Sequence, residues 1–311
     1  MRIVIALGGN AMTSADGQAR PEDQRAAIQE AASPIADLIA AGHDVLLTHG
    51  NGPQVGNLLV KNELAAAEVP PVSLDWCGAQ TQATIGMLLM NTLDEAFTQR
   101  RLDRRTATLV SRTLVAADDP GFGKPTKPIG RYLSHDEAQV MIEHGQQYVE
   151  VPGRGWRRVV ASPEPLECLD GPAADTLIAA GYVVVCSGGG GIPTVRTPDG
   201  TLEGIEAVID KDLTASLIAR QINADLLVIA TDVDSAVTDW GTPYASPIGE
   251  VTASEMRCIA EDQGFAAGSM GPKIEAVTRF AEAGHGIGII TSLPRISQAI
   301  EGRLGTRVVP T

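Results

Sequence analysis

The sequence predicts an α/β fold in which a parallel β-sheet is covered by helices on both faces. Short apolar runs alternate along the chain with longer segments that have helical periodicity. The runs are continuously apolar, which is typical of parallel strands buried on both faces. Stretches such as "AAGHDVLLTHG" and "IAAGYVVVCSGGG" repeat one pattern, in which the end of a helix is followed by a glycine, a strand and a polar or glycine-rich turn.

The apolar runs predict strands at Ile3–Leu7, Val45–Thr48, Ala107–Val110, Tyr182–Cys186, Leu226–Ala230 and Ile287–Thr291. The periodic segments predict helices at Pro21–Ala40, Gln54–Ala67, Leu74–Arg100, Asp212–Ile222 and Pro272–Ala283. Pro34 lies inside the first helix, where proline removes a backbone donor and crowds the preceding turn. We therefore expect a kink or a break there, with Ser33 as the N-cap of the second part.

The segment Asp118–Pro165 departs from this alternation. It is rich in proline, and its charge is nearly balanced in a chain that is otherwise strongly acidic. It contains a short helical stretch, Ser134–His144, and "VPGRGWRRVV", which predicts a hairpin that turns through Gly153–Gly155. Long loops without function are uncommon in compact domains, so we expect a small inserted subdomain with a basic patch, although a solvated surface excursion would share its composition.

Composition limits the classes of protein to consider. The 311 residues are 44% hydrophobic and 20% charged, as in a globular chain with a large core. The net charge of −14 argues against nucleic acid or an anionic membrane as a partner. Four widely spaced cysteines without a C-x-x-C pair, and no apolar run long enough for a signal peptide or a membrane span, predict a cytoplasmic protein with reduced thiols.

Three glycine clusters follow predicted strands: "LGGN", "THGNGPQVG" and "CSGGGGIP". Ligands of open parallel sheets bind beyond the carboxyl ends of the strands, so the clusters would line one crevice with backbone N–H groups that suit an anion. A single glycine pair is more often a tight turn, but three clusters at strand ends favour a binding site. The sequence lacks the P-loop motif and a complete G-x-G-x-x-G after the first strand.

The histidines do not indicate a metal site, because none of the five has metal-ligand spacing to another. His49 directly precedes a glycine cluster. We interpret it as a residue that holds the turn through hydrogen bonds, in preference to a catalytic base.

Two lysines begin predicted helices. "AVIDKDLTASLIA" places Lys211 between Asp210 and Asp212, and "GSMGPKIEAVTRF" places Lys273 directly after Gly271 and Pro272. A cation at a helix N-terminus opposes the helix dipole unless it faces an anion. One such lysine would be ordinary surface, but two indicate a phosphate site, because phosphoryl transfer depends on cations and N–H donors around the migrating group.

Taken together, "ALGGNA", "THGNGPQVG", "PTKPIG", "GRGWRRVV", "GGGGIP", "EAVIDKDL", "TDVDSAV" and "GSMGPK" resemble the motifs of carbamate kinases, which have the amino-acid kinase fold. The match runs in order from about Arg2 to Val308. The resemblance implies one domain over residues 1–311, a three-layer αβα sandwich with a mostly parallel sheet, and a protruding lid subdomain at 118–165. It also implies reversible phosphoryl transfer between ATP and carbamate, giving ADP and carbamoyl phosphate, with Mg²⁺ carried on the nucleotide.

The resemblance also implies where the site's positive charge originates. Relatives such as acetylglutamate kinase have a lysine two residues before the first glycine pair, where this chain has Ala6. In carbamate kinases the missing cation is thought to be the lysine of the lid motif P-T-K-P-I-G, here Lys127. The two prolines of the motif restrict the backbone around it.

The remaining roles are implied residue by residue. The transferred phosphoryl group would be held by Gly8, Gly9 and Asn10, and the acceptor by Gly50, Asn51, Gly52, Gly188, Gly189 and Gly190. Lys211 and Lys273 would contact the nucleotide phosphates and the developing charge, and Asp212 would position these lysines. The turn Asp232, Val233 and Asp234 would border the nucleoside.

Two departures from the family's pattern and two alternative functions are open at this point. Arg131 and Ala161 stand where prolines are common, which leaves the lid geometry open. A kinase for a larger carboxylate, such as acetylglutamate, is disfavoured by Ala6 and by the lack of an arginine near the glycine clusters. A nucleotide-sensing regulatory protein on this fold is disfavoured because all three lysines are present.

The helices Gln54–Ala67 and Leu74–Arg100 carry more apolar surface than one sheet face should cover. Trp76, Met87, Leu88 and Met90 lie close together in the second of them. We expect part of this surface to form an isologous contact in a homodimer.

Overall fold

The structure, a computed structural model, describes residues 1–8, 20–65, 68–143, 145–265, 269–284 and 286–311. Within this part of the chain the strands are β1 (Arg2–Leu7), β2 (Asp44–His49), β3 (Arg105–Thr108), β4 (Arg112–Leu114), β5 (Lys127–Leu133), β6 (Tyr148–Val151), β7 (Gly155–Val160), β8 (Glu167–Cys168), β9 (Tyr182–Val185), β10 (Ile192–Arg196), β11 (Leu202–Gly204), β12 (Leu226–Thr231), β13 (Val237–Thr238), β14 (Ser246–Pro247), β15 (Glu250–Thr252), β16 (Ile287–Ser292) and β17 (Thr306–Val309). The helices are α1 (Pro21–Ala40), α2 (Gly52–Ala65), α3 (Leu74–Arg100), α4 (Pro120–Gly123), α5 (His135–Glu143), α6 (Gly171–Ala179), α7 (Lys211–Gln221), α8 (Ala253–Gln263), α9 (Met270–Glu282) and α10 (Ile296–Ile300).

The central sheet has eight strands in the order β15-β17-β16-β12-β1-β2-β9-β3. Its pairings are parallel except for the one between β16 and β17. Alternate residues of β1 reach two separate cores: Ile5 packs in the core formed with α1 and α3, and Val4 packs in the core formed with α6, α7, α8 and α9. The predicted three-layer α/β fold is therefore confirmed, and the continuous apolar runs reflect burial on both faces of the sheet.

Three smaller sheets accompany the central one. One is four-stranded, in the order β11-β10-β4-β8, and one is the two-stranded pair of β13 and β14. The third is antiparallel, in the order β5-β7-β6, and comes from within the segment Asp118–Pro165. The predicted hairpin is confirmed, because β6 and β7 pair with Val151 opposite Gly155, and both Gly153 and Gly155 have positive φ.

Of the kink or break expected at Pro34, the break is wrong. Helix α1 is continuous from Pro21 to Ala40 with Pro34 inside it. Ile28 and Ile35, on either side of the proline, are both fully buried in the core, so packing holds the two halves in one helix. Ser33 does not cap a second helix; its hydroxyl accepts a hydrogen bond from Arg100 of α3.

The third strand begins two residues earlier than the apolar run indicated, at Arg105 in place of Ala107. It pairs with β9 from Arg105 onward at the edge of the sheet. An edge strand is covered less completely than a central one, so it can begin with polar residues such as Arg105 and Thr106, which a search for apolar runs does not find.

Candidate active site

The carboxyl end of β1 lies between those of β12 and β2, its two neighbours in the sheet. Gly8 N donates to Ala230 O at 3.0 Å, and Gly50 N donates to Leu7 O at 3.0 Å. A Cβ atom at Gly8 would lie 3.0 Å from Ala230 O, so the turn runs close against β12. Gly9 and Asn10, which the sequence also assigned to this crevice, lie outside the described residues.

The glycine-rich turn after β9 meets the turn after β2. Gly189 has φ 67°, and a Cβ atom there would lie 2.1 Å from Nδ2 of Asn51. At Gly188 a Cβ atom would lie 2.3 Å from Nε2 of His49. Only glycine permits this approach, so the structure brings together two of the glycine clusters that are far apart in the sequence.

Polar side chains that sequence reasoning missed hold this turn in place. Gln82 of α3 donates to Gly188 O at 2.9 Å and to Ser111 O at 3.1 Å, and its own oxygen accepts from Ser111 N at 2.7 Å. Thr113 and Thr214 both donate to Gly190 O, at 2.9 and 3.1 Å. The sequence could have indicated a buried Gln82, because helical spacing places it on the same face of α3 as the apolar residues Ile85 and Leu89, which lie in the core.

His49 has the structural role that we expected. Its ring is fully buried, and Nδ1 lies 2.9 Å from Gly50 O, so Nδ1–H donates to that carbonyl. Burial lowers the pKa of His49 to about 4, against a smaller opposing effect of the Gly50 hydrogen bond. The imidazole is therefore neutral at physiological pH, and its Nε2 has no hydrogen-bond partner among the described residues.

A buried carboxylate joins the two predicted lysines. Asp212 is 2% exposed, and its Oδ2 accepts from Lys211 Nζ at 3.3 Å and from Lys273 Nζ at 3.1 Å. The two lysines come from the first turns of α7 and α9, which pack against each other. One carboxylate oxygen thus accepts hydrogen bonds from both ammonium groups.

The third lysine, Lys127, extends from the small antiparallel sheet to the same helix start. Its Nζ lies 3.1 Å from Oδ2 of Asp210, the N-cap residue of α7. Sequence reasoning noticed Asp210 but gave it no role. The signal that could have found it is its N-cap position one residue before Lys211.

In the ion pairs of the described residues at this helix start, lysines outnumber carboxylates. Three lysines, Lys127, Lys211 and Lys273, share two carboxylates, Asp210 and Asp212. The N-terminus of α7 adds the positive end of its dipole, and Gly190 O, bound by Thr214 of α7, places the glycine turn beside it. This arrangement suits a group with several negative oxygens, such as a phosphoryl group during transfer.

The other predicted nucleotide residues lie at the same edge of the sheet but do not join the lysine cluster. Asp232 and Asp234 follow β12, and both are exposed. Asp232 accepts a hydrogen bond from Thr231 at 3.0 Å, and Asp234 accepts one from Ser292. Val233 between them is half-buried.

A cavity of ≈ 850 Å³ opens between the small antiparallel sheet and the turns after β2 and β9. Its lining includes Asn51, Gly52, Gly189, Gly191, Pro128, Ile129, Gly130, Arg20, Arg131 and Arg157. Arg20, Arg131 and Arg157 thus line the same cavity as the turns after β2 and β9. Tertiary structure brings arginines from other segments to the cavity, which the linear sequence around each cluster did not reveal.

The chain is similar to known proteins along essentially its whole length. The model of the amino acid kinase family matches residues 1–291. The carbamate kinase of Pyrococcus furiosus is 39% identical over 312 residues, covering 99% of each chain, and that of Trichomonas vaginalis is 40% identical, covering 100% of each. A solved structure, the carbamate kinase from Giardia lamblia bound to AMP-PNP, superposes with a TM-score of 0.95 at 40% identity, covering 100% of this chain and 98% of the other.

Proposed function

The chain belongs to the amino acid kinase family, and from that premise we propose that it catalyses reversible phosphoryl transfer between ATP and carbamate, giving ADP and carbamoyl phosphate. The observation that carries this proposal is the buried carboxylate of Asp212, which holds Lys211 and Lys273 beside the glycine turn. Relatives named carbamate kinases match essentially the whole chain, which supports the choice of carbamate as the acceptor.

The transfer needs no proton. A β-phosphate oxygen of ADP attacks the phosphorus of carbamoyl phosphate, the bond from phosphorus to the carbamate oxygen breaks, and carbamate leaves as an anion. The protein's contribution is to hold the reactants in line and to stabilise charge on the phosphoryl oxygens. Because carbamoyl phosphate is an acyl phosphate, the direction that forms ATP is downhill.

Each predicted residue has a place in this scheme. Gly8, with Gly9 and Asn10, would hold the transferred group; because the N–H of Gly8 donates to Ala230 O, Gly8 would contribute a close approach of the backbone and not a donor. The carbamate would lie against Gly50, Asn51 and Gly52 and the turn Gly188–Gly190, next to the cavity. Lys211 and Lys273 would contact the nucleotide phosphates, and the turn Asp232–Asp234 would border the nucleoside.

We assign the lid to the segment Asp118–Pro165, inserted in a single domain over 1–311. Its sheet forms one wall of the cavity through Pro128 and Ile129, and it carries Lys127 to the start of α7. Ala6 cannot substitute for that lysine, because its side chain has no charge; it is 2% exposed and packs in the same core as residues of α7. Lys127 is therefore the cation that we expect to close over the phosphoryl group.

Mg²⁺ is expected to arrive on the nucleotide. The described residues contain no group of three or more His, Cys, Asp or Glu side chains placed to hold a metal ion. Mg²⁺ in kinases is usually bound by substrate phosphates, waters and one or two carboxylates, so we expect it to be carried by ATP or ADP. When bound, it neutralises charge on the phosphate oxygens.

Assembly and location are part of the same proposal. Among the described helices none is long and apolar enough to cross a membrane. We expect a cytoplasmic homodimer whose contact includes the exposed apolar residues of α3. Leu88 does not belong to that contact, because it is buried in the core, whereas Trp76 and Met87 are exposed.

A second candidate is a kinase for a larger carboxylate. It is favoured by the cavity, which is far larger than carbamate and includes Arg20 and Arg157 in its lining. A guanidinium group suits a second carboxylate on the acceptor.

One experiment separates the two candidates. ATP formation from ADP, Mg²⁺ and carbamoyl phosphate is followed in a coupled assay, and ADP formation from ATP is followed with acetate, acetylglutamate and aspartate in turn. We expect rapid ATP formation from carbamoyl phosphate and no acid-dependent ADP formation. The reverse pattern would establish the second candidate, and Asp212→Asn serves as the control for a contaminating kinase.

A further inference from the structure

The two oxygens of Asp210 have different partners. Oδ1 accepts from Asp212 N at 2.9 Å and from Leu213 N at 3.3 Å, which caps α7. Oδ2 accepts from Lys127 Nζ at 3.1 Å. A single carboxylate therefore binds both the first turn of the helix that carries Lys211 and Asp212 and the lysine of the lid.

The ion pair between Asp210 and Lys127 is partly withdrawn from water. The side chains are 14% and 32% exposed, respectively. Burial raises the pKa of Asp210, but the charge and hydrogen bond of Lys127, the charge of Lys211 and the hydrogen bond from Asp212 N together leave the pKa below its ordinary value. Asp210 is thus ionised at neutral pH, and its attraction for Lys127 is screened less than that of a surface pair.

Other ion pairs tie the same sheet to different parts of the fold. Arg131 of β5 lies 3.2 Å from Glu63 of α2, and Arg158 of β7 lies 2.5 Å from Glu206. Glu206 in turn accepts from Leu74 N, at the start of α3. Among the ion pairs that β5, β6 and β7 make with the rest of the described chain, the pair of Lys127 and Asp210 is the one that reaches α7.

We propose that Asp210 is a positioning residue that holds Lys127 at the start of α7, so that lid and helix deliver their lysines to the phosphoryl group together. This inference rests on the proposed phosphoryl transfer. A lysine side chain has high rotamer entropy, and an ammonium group that wanders from the reacting oxygens loses most of its effect on the rate. Asp210 itself does not touch the substrate in this scheme; it acts through Lys127.

The test separates the two functions of Asp210 by substitution. Asp210→Asn keeps an N-cap, because asparagine caps helices as well as aspartate, but removes the charge. We expect its melting temperature to stay within a few degrees of wild type. Its kcat for ATP formation should fall roughly ten- to hundredfold, with a much smaller change in KM for carbamoyl phosphate.

Asp210→Glu makes the complementary change, because it keeps the charge and weakens the cap. If Asp210 acts by holding Lys127, this variant recovers a large part of the activity that Asp210→Asn loses. An active Asp210→Asn with a crippled Asp210→Glu would mean that the residue serves only as a helix cap, and would overturn the proposal.

A double-mutant cycle tests whether the effect passes through Lys127. In a Lys127→Ala background, Asp210→Asn should cause no further fall in kcat. An equal fall in both backgrounds would show that Asp210 acts independently of Lys127, and would refute the assignment.

Glu206→Gln is the matched control for general loosening of the lid, since it removes a different ion pair between lid and body. We expect it to stay within a few fold of wild type. A loss equal to that of Asp210→Asn would attribute the effect to lid attachment and overturn the proposal. Wild-type protein that forms no ATP from carbamoyl phosphate would instead refute the proposed function; an active wild type with an unchanged Asp210→Asn refutes only this inference.

Discussion

Asp212 and Lys273 form a buried ion pair, with 3.1 Å between Oδ2 and Nζ, although they stand 61 positions apart in the chain. The carboxylate is 3% exposed and the lysine side chain 12%. An uncompensated carboxylate would be costly in such surroundings, so the pair is stable only because charge and hydrogen bonding are both matched. The same oxygen also binds Lys211, which makes Asp212 the residue on which the geometry of both lysines depends.

Asp212→Asn should therefore reduce turnover by roughly a hundredfold or more, while ADP binding changes little. Asparagine preserves the shape of the side chain but not the charge that orders two ammonium groups. The measurements are steady-state ATP formation and calorimetric titration with ADP. The control is Asp175→Asn, which removes the ion-pair partner of Arg2 at the amino-terminal end of β1, away from the glycine turns. Unchanged turnover in Asp212→Asn would remove Asp212 from the site.

Lys127→Ala should fold normally, melt within a few degrees of wild type and still bind ADP. Its rate of ATP formation should fall by roughly two to three orders of magnitude, since one well-placed charge on the phosphoryl group contributes about 3–4 kcal/mol to the transition state. Lys127→Arg should recover little, because a planar guanidinium cannot replace a point charge at a crowded phosphoryl group.

Lys124 provides the control for Lys127. It lies three residues earlier and is exposed, so Lys124→Ala should stay within a few fold of wild type. A crippled Lys124→Ala together with an active Lys127→Ala would show that the charge comes from elsewhere.

Because of His49, we expect the folded protein to lose stability in mild acid. Its pKa is about 6.5 when unfolded and about 4 in the native protein, so between these values the unfolded chain binds more protons than the folded one. As the pH falls from 6.5 to 4, the contribution of His49 to the free energy of unfolding should therefore decrease by about 3 kcal/mol in total. Above pH 6.5 the contribution is fully present.

The measurement is denaturant unfolding at several pH values and one protein concentration. His49→Gln, which cannot be protonated, should lose this part of the acid dependence, whereas His135→Gln at an exposed site should retain it. An NMR titration of the wild type should show His49 still neutral at pH 5. A protonated His49 at that pH would contradict the prediction.

The exposed apolar side chains of Trp76 and Met87 lead us to expect a dimer that forms through α3. The two side chains are 63% and 47% exposed, and eleven positions in a helix return to nearly the same face. Sedimentation should show a dimer at micromolar concentration, and Trp76→Glu should shift it toward monomer. Val140→Glu, at an exposed apolar residue of α5, should leave the dimer intact. A wild-type monomer at that concentration would refute the prediction.

The sequence by itself determined the layered α/β fold and predicted the residues of the candidate site. Strand and helix positions followed from apolar periodicity, because strands such as β1 are buried on both faces. The sequence predicted that Lys211 and Asp212 lie close together, because both belong to the start of one helix, where neighbours in sequence are neighbours in space.

Tertiary structure alone decided which distant residues meet. Lys273 reaches Asp212 because α7 and α9 pack together, and Lys127 reaches Asp210 because the sheet of β5, β7 and β6 carries it to the start of α7. Likewise, the approach of Asn51 to Gly189 depends on the adjacent placement of β2 and β9. Pro34 shows the opposite case: a local rule predicted a kink or a break, and no break occurs, because the packing of many residues, Ile28 and Ile35 among them, outweighs one lost hydrogen bond.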